Sequence, residues 1–142
     1  EYWSNGRSFD MRHVPGPVYV QIEGERVPHQ AVWLKSFEPV QEIPELGTDN
    51  TNRAALAYAC DYTILEPALR VLNLPWATPN LVTASLDHAM WFHNPAPVDQ
   101  WILYTQEAGH VGHGRGLGLG RFYTQDGTLL ATVAQEGMIR EP

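Results

Sequence analysis

The chain has 142 residues, 44% hydrophobic and 18% charged, with a formal net charge of −7 and one lysine, Lys35. That length and balance predict a single domain with a sizeable core and exclude a disordered segment. The acidity argues against a nucleic-acid or anionic membrane-surface partner, and no apolar run reaches the ~18–20 residues of a membrane span. The lone Cys60 rules out an internal disulfide framework. No signal peptide opens the chain. It starts at Glu1 rather than Met, as a domain of something longer or a processed product would.

Residues 1–14 are mixed and aromatic. Tyr2, Trp3, Phe9 and Met11 offer packing surface, and FDMRHV reads as an edge strand. Pro15-Gly16-Pro17 is a turn. Val18–Ile22 (VYVQI) and Gln30–Phe37 (QAVWLKSF) alternate as strands, with Lys35 awkward on an apolar face. Glu38–Gly47 reads as a solvated loop. Thr48, Asp49, Asn50 and Thr51 are each competent N-caps for a helix over Asn52–Leu65. That helix is nearly continuous in apolar residues, so it is expected to be buried on most sides. Glu66-Pro67 restarts a second segment, Pro67–Leu72.

Leu81–His93 contains the stretch ASLDHAMWFHN and alternates like a strand with both faces covered. Ser85 and Asp87 then share one face, and His88 points to the other. Gln100–Gln106 is a further strand. In His110–Thr124 every second residue from Gly112 to Gly120 is glycine. In one strand these glycines line one face, opposite Arg115 and Arg121. Packing against the helix is the commoner role for such a stripe. Gln125-Asp126-Gly127 is a hairpin turn, and Thr128–Ile139 returns as the closing strand. The element order gives an α+β fold, an antiparallel sheet wrapped around a long central helix: the hot-dog arrangement.

Three polar residues stand in otherwise apolar elements: Asp61 on the helix, Ser85 on the central strand and Gln135 on the last. Buried polar groups need partners. Taken singly, each is more commonly a satisfied core or cap residue, and periodicity does not show that they converge. A Ser85–His88–Asp87 triad fails on strand alternation, and there is no G-x-S-x-G elbow. The glycines lie inside a strand with no helix following, which rejects a P-loop or dinucleotide fingerprint. His110 and His113 point to opposite faces of a strand, and no cluster completes a metal site. No metal and no cofactor are expected. Arg115, Arg121 and His88 are the candidate substrate-binding residues, the arginines for phosphate or pantetheine groups at the sheet rim.

ASLDHAMWFHNP, WILYTQE, GRGLGLGRFYTQDG and VAQEG resemble the carboxyl-terminal half of the type II acyl-CoA thioesterases, and LAYACDYTILEPAL resembles that family's helix segment. The resemblance runs from Phe9 to Arg140. It implies a double hot dog of which residues 1–142 are the second domain. It also implies hydrolysis of fatty acyl-CoA to fatty acid and CoA by a water bound on an Asp, a Ser or Thr, and a Gln. By motif these are Asp61, Ser85 and Gln135. Ala108 and Gly109 stand where small hydroxyl residues are commoner in the family, and His110 and His113 are unusual there. The alternative is a non-catalytic assembly module that needs its N-terminal half or a dimer partner. The expected partners are an acyl-CoA substrate and either a second copy (a homo-oligomer) or an N-terminal hot-dog domain. Family members occupy the bacterial cytoplasm or peroxisomes.

Overall fold

The computed structural model describes residues 7–142, so Tyr2 and Trp3 lie outside the described residues. Seven strands form one antiparallel sheet: β1 (Phe9–His13), β2 (His29–Ser36), β3 (Val82–Ser85), β4 (Ala89–Phe92), β5 (Ile102–Gly112), β6 (Arg115–Thr124) and β7 (Leu129–Arg140). Two helices, α1 (Gly47–Cys60) and α2 (Glu66–Leu72), fall between β2 and β3 in the chain. Across the sheet the order is β1-β2-β5-β6-β7, with β3 and β4 both paired to the far side of β7. The FDMRHV stretch is an edge strand, as expected.

Period-2 alternation sets the inner face. Val32 and Leu34, Ile102 and Tyr104, Phe122, and Ala131 and Val133 point inward and are buried. They meet Leu56, Ala59, Cys60, Ile64 and Leu65 of the helical segment in one apolar core. Tyr104 stacks on Phe122 with centroids 3.8 Å apart, and its hydroxyl donates to the Cys60 carbonyl at 3.0 Å. Burial and the neighbouring Cys60 and Asp61 push that phenol well above its ordinary range.

The glycine stretch is a hairpin, not one strand. His113 (φ 54°) and Gly114 (φ 74°) form the two-residue turn between β5 and β6, the left-handed pair that matches strand twist. Only Gly116, Gly118 and Gly120 therefore line the inner face of β6. A Cβ on Gly118 would lie 2.4 Å from the Ile64 carbonyl oxygen, and one on Gly116 2.9 Å from Ala68 Cβ. The stripe lets the turn after α1 press onto the sheet backbone, the packing role expected of it.

Other expectations are corrected. Val18–Ile22 is not a strand. Val18 is buried, but the carbonyls of Val18 and Tyr19 accept from the N–H groups of Trp76 and Ala77 in the connector after α2. Prolines at 15 and 17 and left-handed Gly16 and Gly24 bend this segment away from the sheet. The first helix starts earlier, at Gly47, without a side-chain cap at Leu46. Thr51 sits inside it, accepting from the Ile43 N–H and donating to the Gly47 carbonyl. It ends at Cys60, and buries only Thr51, Leu56, Ala59 and Cys60.

Leu81–His93 is also corrected. It breaks into β3 and β4, and it is an exposed edge rather than a doubly covered strand: Leu86, Trp91 and Phe92 are exposed. Ser85 pairs with Gly137 and Ala89 with Ala134, so four residues advance here against three on β7. The extra residue resets the alternation. Ser85 faces inward with Gly137, and beyond the break Met90 and Phe92 face inward instead of Ala89 and Trp91.

Candidate functional site

Asp61 is the first residue after α1, with helical φ −71° and ψ −23°, and its backbone N–H bonds to the Ala59 carbonyl. The chain turns here through 61–65 before α2. The turn brings the carboxylate out of the core to the exposed edge where β3 meets β7. The carboxylate is therefore solvated and hydrogen-bonded, two of the outcomes open to a polar group in an apolar helix.

Three elements supply its partners. Ser85 Oγ, at the end of β3, donates to Asp61 Oδ1 at 3.0 Å. Gln135 Nε2, from the inner face of β7, donates to the same oxygen at 2.6 Å and to Ser85 Oγ at 3.0 Å. Gln135 is 1% exposed, whereas Asp61 and Ser85 are open to solvent. Asp61 Oδ1 thus carries two bonds, while Oδ2 has no hydrogen-bond partner among the described residues. One carboxylate oxygen is held and the other is presented. That arrangement can hold and deprotonate a water, and the hydroxyl and amide donors that bond Asp61 here lie beside it to be redirected to a developing negative charge.

The remaining predicted residues separate. His88, expected to point away from Ser85, does not: past the break it turns to the Gln135 side, and although the residue stays exposed its Nδ1 lies 2.9 Å from Gln135 Oε1. Its Nε2 is 3.7 Å from Cys60 Sγ. Burial pushes the Cys60 thiol up to about 12, with the adjacent Asp61 adding to the effect, so it is an inert thiol at neutral pH. Arg115 and Arg121 lie on the outer face of β6, across the sheet from the Asp61 cluster. Arg115 pairs with Glu136 at 3.0 Å. Arg121 lines a groove of about 650 Å³ with His29, Thr105, Glu107 and Thr132, which shares no residue with the cluster. Asp87 parts from Ser85: its Oδ1 accepts the Glu136 N–H at 2.8 Å and continues the ladder across the break. Among the described residues no three His, Cys, Asp or Glu side chains group as metal ligands.

A second polar cluster was not foreseen. Glu66 is fully buried and accepts from Gln30 Nε2 at 2.8 Å, Trp76 Nε1 at 2.9 Å and His13 Nε2 at 2.6 Å. Gln30 also bonds Gln106 at 2.8 Å and Arg70 at 2.6 Å, and Gln106 reaches Thr63 at 2.5 Å. The signal for it was present. Gln30 and Gln106 occupy inward positions of apolar strands, as Gln135 does.

A family profile described as Acyl-CoA thioesterase matches residues 4–138. Acyl-coenzyme A thioesterase 8 from Homo sapiens is 40% identical over 80% of this chain and 34% of its own length. Acyl-CoA thioesterase 2 from Haemophilus influenzae is 38% identical over 60% of this chain and 30% of its own. Among solved structures, the acyl-CoA thioesterase II TesB2 from Mycobacterium marinum aligns with a TM-score of 0.73 and 35% identity, over 95% of this chain and 50% of that one. A hot-dog-fold protein from Alicyclobacillus acidocaldarius aligns at a TM-score of 0.69 and 20% identity, which bears on the fold alone. The fold is the hot dog. The chain spans about a third of the length of these curated relatives and half of these solved chains. No helix among the described residues is long and apolar enough to cross a membrane. On the profile match and these identities, the chain belongs to the acyl-CoA thioesterase family.

Proposed function

We propose that this chain carries the water-activating site of a fatty acyl-CoA thioesterase. Residues 1–142 are then a single hot-dog domain, the C-terminal half of a double hot dog. The observation that carries the reading is the convergence of Ser85 and Gln135 on one oxygen of an exposed Asp61, with no partner among the described residues on the other oxygen. Asp61 accepts a proton as water attacks the thioester carbonyl. Ser85 and Gln135 orient the carboxylate towards that water, and as Asp61 takes up the proton and becomes a weaker acceptor their donors turn from it to the oxyanion. Collapse of the tetrahedral intermediate breaks the C–S bond, and the proton held by Asp61 passes to the departing CoA thiolate. Water and acyl-CoA give fatty acid and free CoA, with no covalent enzyme intermediate.

The test is turnover of acyl-CoA by the whole natural protein with Asp61→Asn. The rate is expected to fall roughly 10²–10³-fold, the scale for one preorganised group, with unchanged melting temperature. Full turnover by that variant overturns the assignment.

A second reading is favoured by the open edge: Ser85 and Asp61 are exposed, beside exposed Leu86 and Phe92. In it the chain is an assembly module whose substrate channel is closed by an N-terminal hot-dog domain or by a second copy. Solution mass and hydrolysis measured on residues 1–142 separate the two. A dimer without turnover supports assembly, and turnover supports catalysis.

A further inference from the structure

We propose that His88 is a positioning residue for the Asp61 site, fixing through one hydrogen bond which end of the Gln135 amide faces the carboxylate. This rests on the hydrolase reading above. The two ends of an amide have nearly the same shape and opposite chemistry. One end of Gln135 lies 2.6 Å from Asp61 Oδ1. A carboxylate only accepts, so that end is the nitrogen. Its second proton points to Ser85 Oγ, 3.0 Å away. The oxygen is thereby turned to His88 Nδ1 at 2.9 Å. A carbonyl oxygen also only accepts, so Nδ1 carries a proton and donates it.

Each end of the amide is thus held by a group that rejects the flipped orientation. Flipping would set oxygen against the Asp61 oxygen and an N–H against the His88 N–H. Gln135 is 1% exposed with the His88 ring in place, and His88 itself is exposed, so this ring stands between the amide oxygen and solvent. His88 gives its Oε1 the only donor among the described residues. The other ring nitrogen meets Cys60 Sγ at 3.7 Å, and that thiol already donates to the Ala57 carbonyl at 3.0 Å. The ring reaches Gln135 only because the bulge between Ser85 and Ala89 reverses the strand's phase, with Asp87 bridging the gap through the Glu136 N–H.

The experiment compares four variants of the whole natural protein on an acyl-CoA substrate. His88→Ala is expected to lower kcat about 10–100-fold, with KM nearly unchanged, because water entering in place of the ring both donates and accepts and so holds neither amide orientation. His88→Asn places an amide N–H near the Nδ1 position and recovers most of that loss. In a Gln135→Ala background, His88→Ala costs less than about twofold, because a residue that acts through Gln135 has nothing left to position. An equal loss in both backgrounds, or no recovery by His88→Asn, overturns the proposal. Asp61→Asn is run in parallel. If it turns over normally, the hydrolase reading fails and His88 is judged on structure alone. In ¹⁵N-labelled protein the two Gln135 side-chain protons should resonate far apart and merge toward free-amide values in His88→Ala. Unchanged resonances overturn it.

Discussion

Gln135 is the one member of the Asp61 cluster that is fully buried, and its two ends give it the least chemical freedom. Gln135→Glu keeps the shape and sets a second carboxylate 2.6 Å from Asp61. It is expected to cost at least about 10² in kcat by removing the donor to both Asp61 and Ser85; steady-state kinetics read it directly. Cys60 makes a different statement. The folded state keeps its proton to about 12, whereas the unfolded thiol releases it near 9.0. The folded state therefore binds the proton more tightly. The resulting stability is fully present below pH 9 and declines as pH rises from about 9 towards 12. Cys60→Ala should flatten that decline in urea titrations across this range. Asp61, Ser85 and Gln135 were all legible as polar residues in apolar elements. His88 was assigned to the wrong face, because one extra residue between Ser85 and Ala89 inverts an alternation that looks unbroken in sequence.

Among the elements, β6 shows how closely helix and sheet are fitted. Gly118→Ala would place a methyl 2.4 Å from the Ile64 carbonyl oxygen, a backbone atom that cannot swing aside. A loss of about 1–3 kcal/mol is expected, the range for overpacking, measured as a lower denaturant midpoint. Gly127→Ala meets no neighbour, and its cost comes only from a φ of +90°. The packing role of the β6 stripe was legible from the sequence, but the turn that splits the run was not. His113 is a non-glycine residue in the left-handed region, and nothing local marks it for that. The segment after α1 is pinned from below by Glu66. Glu66→Ala leaves Gln30, Trp76 and His13 facing an empty acceptor site and is expected to cost roughly 3–5 kcal/mol. Calorimetry on the variant checks it. Helix starts were misplaced for a related reason. Four capping residues in a row, Thr48 to Thr51, make the sequence signal degenerate, and Thr51 spends its hydroxyl inside the helix instead.

For the whole molecule, the hot dog was legible because strand periods and the Ala-rich helix agreed at every level. What escaped was exposure. Alternation shows that a strand has two faces, not that it stands at the edge of the sheet. The edge made by β3 and β4 carries exposed Val82, Leu86, Trp91 and Phe92 beside the Asp61 cluster. An apolar edge of this kind is a template for pairing. Sedimentation of residues 1–142 is expected to give a mass above the 16.0 kDa of one chain, and Trp91→Lys is expected to shift the population toward that monomer mass.

The strand order has a consequence for how the chain is made. β5, β6 and β7 are neighbours joined by two tight turns, and such local pairings form quickly. Within this domain β1 and β2 are made before the rest, and among the described residues they pair with each other and with β5, which begins at Ile102. The Gly116–Gly120 surface that receives Ile64 and Ala68 arrives later still. At ribosomal speeds of ~5–20 residues per second, the first half waits several seconds for its complement. Within this domain the early strands and helices thus leave the ribosome before the sheet they pack on exists, and the domain completes itself from its last-made hairpins backward.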